Sequence, residues 1–377
     1  MDDSLIYRVP PISGRDRPRS DPNFAAMLQP ARPRLAGLTT AVPSHALDQS
    51  DVVERVRLLF SSMERETIER LLGMFDNAGI DCRYSCVPID WYSESHAWRD
   101  RNALYLEHAV TLLERAAREC LATSRTRPDD VDAIVVVSST GIATPTLDAL
   151  LINRLGLRSD VRRLPIFGLG CAGGVLGLSR AVDLVRLDPN AKVLFLTVEL
   201  CALCFRKDDT SKSNFVATAL FGDGAAAALI SGSGDGPAFG AAGEHTWPNS
   251  LDIMGWDVEE DGLKARFSRD IPNLARTELR AVTAAFLTRH GLDFGDIQHF
   301  VCHPGGAKVL IAIEDAFGLA PGTLVESRSV LRDFGNMSAV TVLFVLDRML
   351  KAGARGRMLM TALGPGFSAG FQILEAA

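Results

Sequence analysis

No run of apolar residues in this 377-residue chain reaches the roughly 18 needed for a membrane-spanning helix. The first stretch, MDDSLIYRVPPISGRDRPRSDPNF, has no apolar h-region, so no secretory leader is expected. Lys and Arg, 40 together, fall short of the 46 Asp and Glu, and the net charge of −6 leaves no electrostatic footprint for nucleic acid. Cysteine is scarce and odd in number, seven in all, which suits a reduced cytoplasmic protein better than a disulfide scaffold. A complete set of metal ligands is missing too, although Cys201 and Cys204 have redox or zinc spacing. Cys201-Ala-Leu-Cys204 has no second pair to complete a site, and Cys82 and Cys86 have no histidine nearby.

What is present is an α/β pattern. Residues 1–33 are rich in Pro and Arg without periodicity and read as a flexible arm. From RLAGLTTAVP onward, apolar strand-like runs alternate with helical ones: DAIVVVSST, TLDALLINRLGL, LPIFGL, a helix over Ala172–Leu187, and AKVLFLTVEL. Continuous apolar strands point to a sheet covered by helices on both faces. The pattern also repeats. Cys171 opens an apolar helix, and a strand resumes 21 residues later at Lys192; Asn336 opens another, and a strand resumes 21 residues later at Arg357. This predicts two related halves, residues 34–235 and 236–377, with a site where the two helix starts converge.

The stretch PIFGLGCAGGVLGLSRAVDLV admits two readings. Gly168, Gly170 and Gly173 spell G-x-G-x-x-G, the signature of a dinucleotide-binding turn, and Glu199 ends the next strand, where such a turn has its ribose ligand. Glu199 lies 31 residues beyond Gly168, however, where the usual spacing is about 20. Cys171 also occupies the point where a pyrophosphate needs bare backbone.

The alternative is a nucleophile. A catalytic thiol, with an ordinary pKa of about 8.5, needs it lowered to roughly 3.5–7.5 by a helix N-terminus and an imidazolium. Cys171 stands where a strand turns into a helix, His303 follows an apolar run in HFVCHPGG, and Asn336 in FGNMS can donate to an oxyanion. Singly these read as a core cysteine, a structural histidine and a helix cap. Together, in glycine-rich turns at strand-to-helix boundaries, they read as a catalytic set.

The motifs GCAGG, LFGDGAAAALISG, HPGG, GNMS and GPGFSAG, in that order from about residue 34 to 377, resemble the type III polyketide synthases, relatives of chalcone synthase. The resemblance implies the thiolase fold, a duplicated five-layer αβαβα sandwich, and a homodimer. It implies that an acyl-CoA starter is loaded on Cys171, and that malonyl-CoA is decarboxylated by His303 and Asn336 to an enolate that attacks it. Both CoA thioesters are substrates, and no cofactor or metal is implied. A ketoacyl synthase that initiates fatty-acid synthesis would carry His-Gln-Ala-Asn in place of HPGG. A thiolase would carry a second cysteine near the C-terminus, whereas the last one here is Cys302. A non-catalytic partner subunit would lack the nucleophile.

By the same resemblance, Phe221 is one of two gating phenylalanines, and the other gate position holds Ala265. Losing that ring suggests an enlarged gate and a medium or long fatty acyl starter, with an alkylpyrone or alkylresorcinol as product. A malonyl-primed tetrahydroxynaphthalene-type synthase is the alternative. Cys201 and Cys204 fall on the pocket wall, with Thr144 beside it, and Gly364, Pro365 and Gly366 on the cyclisation loop. Ser139, Glu199 and Ser338 match a trio thought to activate water for aldol closure. For coenzyme A, Arg70 matches a tunnel cation, with Lys308, Gly305 and Gly306 as further contacts; Gly73 and Asn77 stand where plant enzymes have cations.

Overall fold

The two turn–helix–strand units that are spaced alike in the sequence take matching places in a duplicated architecture. The computed structural model describes residues 32–377. The arm expected over 1–33 lies outside them except for two residues. Arg32 pairs with Glu375 at 3.1 Å, and the Pro33 carbonyl accepts the Phe239 N–H at 2.7 Å.

The first half runs β1 (Arg34–Ala41), β2 (His45–Asp48), α1 (Gln49–Leu59), α2 (Arg65–Asp76), β3 (Cys82–Ser85), α3 (Trp98–Thr123), β4 (Ala133–Val137), α4 (Leu147–Leu155), β5 (Arg162–Ile166), α5 (Gly173–Leu187), β6 (Lys192–Leu200), α6 (Lys212–Leu220) and β7 (Asp223–Ser231). The second runs β8 (Ala238–Thr246), β9 (Met254–Glu259), β10 (Gly262–Phe267), α7 (Ile271–Arg289), β11 (His299–Cys302), α8 (Ala307–Phe317), α9 (Val325–Phe334), α10 (Thr341–Lys351), β12 (Gly356–Gly364) and β13 (Ser368–Ala376).

Strand order is β5-β4-β6-β7-β1 in the first half and β11-β12-β13-β8 in the second, joined where Arg34 faces Ala238. The connectivity repeats. β4 runs parallel to β6 as β11 does to β12, and β7 is antiparallel to β6 as β13 is to β12. Parallel pairs need crossover helices, which bury the strands on both faces. Accordingly β4 and β7 are buried at every position.

The crossover helices α5 and α10 lie between the two sheets. Val175, Leu178 and Val182 of α5 share one core with Val342, Leu343 and Leu346 of α10, and with Val137, Phe195, Met358 and Met360 of the strands. Each such side chain contributes on the order of 1.5–3 kcal/mol by leaving water. Helix α3 covers the outer face of the first sheet, and α7 covers the second through Phe286, stacked on Phe371 at 5.1 Å. The result is helix, sheet, helix pair, sheet, helix: the expected five-layer thiolase arrangement. The helix pair is tight at its start. A Cβ on Gly174 would lie 2.1 Å from the Ala339 carbonyl oxygen, so only glycine lets the two helices meet there.

Candidate active site

Three chain reversals deliver the candidate trio to one place. Cys171 lies in a 3₁₀ turn, Gly170–Ala172, directly before α5. His303 directly follows β11 and is held by its own N–H, which donates to the Thr361 carbonyl at 2.9 Å. Asn336 follows α9 and Gly335, and its backbone pairs with the segment before β7. Its N–H donates to Leu220 O at 2.7 Å, and its carbonyl accepts from Gly222 N at 3.0 Å. The Asn336 side chain ties two of the reversals together. Its amide donates to Gly305 O at 3.2 Å, in the loop after His303, and its Oδ1 accepts the Ser338 N–H at 2.8 Å.

The glycines of the first turn serve packing rather than a pyrophosphate. Gly170 has φ +47°, and a Cβ there would meet Pro365 at 2.6 Å. A Cβ on Gly364 would meet Ala172 Cβ at the same distance, so the Gly364–Gly366 loop rests directly on the nucleophile turn.

Burial dominates the electrostatics. It pushes the Cys171 thiol up to about 12 and the His303 imidazole down to about 3; the side chains of Ser338 and Asn336 pull the thiol down again, and Glu199 pushes it further up. Desolvation thus opposes the lowering expected from the helix start and the imidazolium. Burial works against either charge standing alone in this site. Neither His303 ring nitrogen has a hydrogen-bond partner, and both stay available for proton transfer. Glu199, fully buried at the end of β6, is raised to about 7 by desolvation, and the hydroxyls of Thr140, Ser338 and Ser138 act against that rise.

Several expected partners take other roles. Ser139 reaches Glu199 with its backbone N–H, at 3.0 Å, while its hydroxyl oxygen accepts the N–H groups of Gly168 and Gly170 at 3.2 and 3.1 Å. Its side chain thus braces the nucleophile turn. Thr144 is exposed, beside the cis Thr144–Pro145 bond in the connector from β4 to α4. Arg70 and Lys308 are both exposed, on helices whose ends meet at Gly79 and Ala307. Gly305 donates to the His303 carbonyl, and Gly306 packs against Leu220, so both shape the site's scaffold.

Ala265 does not open a void. It is 8% exposed and packs with Cys201, Ala217 and Phe221, and its cross-strand partner is Trp256. Trp256 and Phe267 lie 5.9 and 5.7 Å from Phe221, ring to ring, so two aromatic rings crowd Phe221 beside the small Ala265. The Glu-Asp-Gly signal before Leu263 marks the β9–β10 hairpin in the sequence and could have placed Trp256 opposite Ala265.

Beyond Phe221 a cleft of about 530 Å³, counting solvent at its mouth, runs between α1 and the Cys201–Cys204 turn. Val52, Val56 and Leu59 line one side, Tyr92 and Phe205 the other, and Cys201 and Phe221 its inner end. Two buried charges missed in the sequence hold these walls. Asp223 accepts the N–H groups of Ala202 and Cys86, each at 2.8 Å, and burial lifts it to about 6. Arg83, lowered to about 10 by burial, donates to the carbonyls of Thr218, Ala219 and Phe221 at 2.6, 2.7 and 2.9 Å. Cys204, only partly exposed, is pushed up to about 12 by burial and is no thiolate. Among the described residues no group of three His, Cys, Asp or Glu is placed to hold a metal, and no helix is long and apolar enough to cross a membrane.

Family models match almost the whole chain: chalcone and stilbene synthases, N-terminal domain, over residues 26–235, and C-terminal domain, over 240–373. A putative chalcone synthase of Bacillus subtilis (strain 168) is 38% identical over 351 residues, covering 89% of this chain and 96% of that protein. The 1,3,6,8-tetrahydroxynaphthalene synthase of Streptomyces peucetius subsp. caesius is 37% identical over 354 residues, covering 90% and 92%. The crystal structure of the Streptomyces coelicolor A3(2) tetrahydroxynaphthalene synthase, a bacterial type III polyketide synthase, superposes with a TM-score of 0.87 at 28% identity, over 91% of this chain and 99% of that one.

Proposed function

The chain belongs to the chalcone and stilbene synthase family and is a type III polyketide synthase, and from that premise we propose that it primes on a medium or long fatty acyl-CoA and releases an alkylpyrone or alkylresorcinol. The observation that carries this reading is the apolar cleft beside Cys201 and Phe221. Its walls are mostly apolar, with Val52, Val56, Leu59, Tyr92 and Phe205 facing the space. Each methylene buried there contributes on the order of 0.8 kcal/mol, enough to select longer chains.

In this reading Cys171 Sγ passes its proton to His303 and attacks the starter thioester. The departing coenzyme A thiolate takes the proton back from the imidazolium. Malonyl-CoA then places its thioester oxygen against His303 and the free N–H of Asn336 Nδ2. Carbon dioxide leaves, the two electrons of the broken bond form the enolate, and that carbon attacks the acyl group on Cys171 and expels the thiolate. Burial suits this sequence, because a charge that is costly in the resting site is stabilised only by the partner that creates it. Glu199, through Ser338, serves as the acid–base group of release and ring closure.

A homodimer completes the proposal. β5 is the outer edge of the sheet, and it presents Leu164 at 36% exposure and the adjoining Phe167 at 61%. Large apolar side chains left exposed side by side suit burial against a second copy of the chain.

One observation favours a second reading. Trp256 and Phe267 crowd Phe221 where an enlarged gate was expected, which suits the small malonyl primer of a tetrahydroxynaphthalene-type synthase. Mass spectra of products from malonyl-CoA, with and without a series of acyl-CoA starters, decide between the two. Products that retain the acyl chain support the first. A product from malonyl-CoA alone, unaffected by acyl-CoA, overturns it in favour of the second.

A further inference from the structure

One short segment, Thr218–Gly222, carries the gate residue and pairs with the oxyanion donor, and a buried cation grips it. Arg83, on β3, is 3% exposed. Its Nη1 donates to the carbonyls of Thr218 at 2.6 Å and Phe221 at 2.9 Å. Its Nη2 donates to the Ala219 carbonyl at 2.7 Å and to Gln49 Oε1. Both terminal nitrogens are thus fully used, and only Nε lacks a partner. Every acceptor is a neutral amide oxygen, and three of them lie at the C-terminal end of α6, where the helix dipole is negative.

The carbonyl that Arg83 leaves over goes to Asn336. Helix α6 ends at Leu220, so its last carbonyls have no partner within the helix. Arg83 takes those of Thr218 and Ala219, and the Asn336 N–H takes that of Leu220 at 2.7 Å. The Asn336 carbonyl in turn accepts the Gly222 N–H at 3.0 Å, and the two chains form a parallel bridge at Phe221 and Asn336. Arg83 and the Asn336 backbone therefore hold the same stretch of chain. The fit leaves no slack. A Cβ on Gly222 would lie 2.4 Å from the Phe334 carbonyl oxygen and 3.4 Å from Arg83 Cβ.

We propose that Arg83 is a positioning residue for malonyl decarboxylation: by fixing Thr218–Phe221 it fixes the backbone of Asn336, and with it the reach of the Asn336 amide toward the malonyl thioester oxygen. This rests on the oxyanion role given to Asn336 above. Arg83 acts through Asn336 rather than on the reacting atoms. Its effect is geometric, because misplacing a positioned group by about 1 Å can cost on the order of 10²-fold in rate. The task needs a planar fork. A lysine ammonium offers its donors from one atom and cannot span carbonyls that a guanidinium meets with two nitrogens.

The test compares two reactions of the full-length enzyme: carbon dioxide release from malonyl-CoA, and alkylation of Cys171 by iodoacetamide, read by peptide mass spectrometry. Arg83→Lys should lower kcat for release by about tenfold, with KM and the alkylation rate each within about twofold. Release in the Arg83→Lys, Asn336→Ala double variant should be no slower than in Asn336→Ala alone, since both act through one amide. Gln49→Ala removes one of the four acceptors and should show the same pattern at smaller size. If Arg83→Lys does not fold, Gln49→Ala decides on the same criteria. Unchanged release, equal losses of release and alkylation, or losses that multiply in the double variant would overturn the proposal. Asn336→Ala separates the two layers of inference. If it leaves release intact, the oxyanion reading itself fails, whatever the arginine variant does. If it lowers release while Arg83→Lys does not, only the positioning role fails.

Discussion

Asn336 donates its side-chain amide to the carbonyl oxygen of Gly305 at 3.2 Å, and so fastens the oxyanion donor to the loop that begins at His303. The two groups proposed to hold the malonyl thioester oxygen are thus set against each other by one bond, although they come from separate reversals of the chain.

That bond makes Asn336 both donor and fastener. Asn336→Ala should lose malonyl-CoA decarboxylation by about 10²–10³-fold, the usual cost of one oxyanion donor, while Cys171 still accepts a starter. Intact-protein mass spectrometry for loading, beside carbon dioxide release for decarboxylation, reads the two separately. Equal loss of both would assign Asn336 to the scaffold alone.

Cys171→Ala should abolish covalent loading altogether. Cys82→Ala should not, because that thiol lies in β3 against the Arg83 carbonyl. A labelled starter that stays bound to the Cys171 variant after denaturation would place the nucleophile elsewhere.

The raised carboxyls predict how stability depends on pH. Glu199 lies at about 7 and Asp223 at about 6 in the fold, both above their ordinary values of 4.5 and 3.8. A group raised by folding binds more protons in the native state, so its contribution is fully present below the unfolded pKa and is lost as pH rises through the folded one. Stability should therefore fall between about pH 4 and pH 7. The Glu199 share is on the order of 3 kcal/mol. Glu199→Gln, compared with wild type by thermal unfolding at pH 5 and pH 8, should gain relative stability at pH 8. A gain at pH 5 instead would contradict the sign.

Packing at the gate predicts a specificity change. Ala265→Phe adds a ring to a site already closed by Trp256, Phe267 and Phe221, and overpacking of this kind costs about 1–3 kcal/mol. Phe221 and Cys201 should be pressed into the cleft, so the kcat/KM ratio of a long to a short acyl-CoA should fall by about tenfold. An unchanged ratio would remove Ala265 from the acyl path.

The exposed edge predicts assembly. Phe167→Asp should convert a dimer to a monomer in light scattering, since a carboxylate buried in an apolar interface without a partner is costly. A wild type that is already monomeric at micromolar concentration would dispose of the β5 interface.

The duplication was legible in the sequence because it is local. Two apolar helices preceded by glycine-rich reversals, each with a strand at the same offset, need no partner to be recognised. The candidate trio stood out for a related reason, since Cys171, His303 and Asn336 each lie beside a glycine-rich reversal that is visible in the sequence. What the tertiary structure alone decided is where side chains from distant elements meet. Ala265 looked like a missing ring until the hairpin set Trp256 opposite it and Phe267 two residues on, both against Phe221. Only the fold shows that the Ser139 oxygen also accepts the N–H groups of Gly168 and Gly170 and so braces the nucleophile turn. The charge state of Cys171 was open to neither motif nor spacing. The helix start argues for a thiolate and desolvation argues against it, and desolvation is a property of the whole fold.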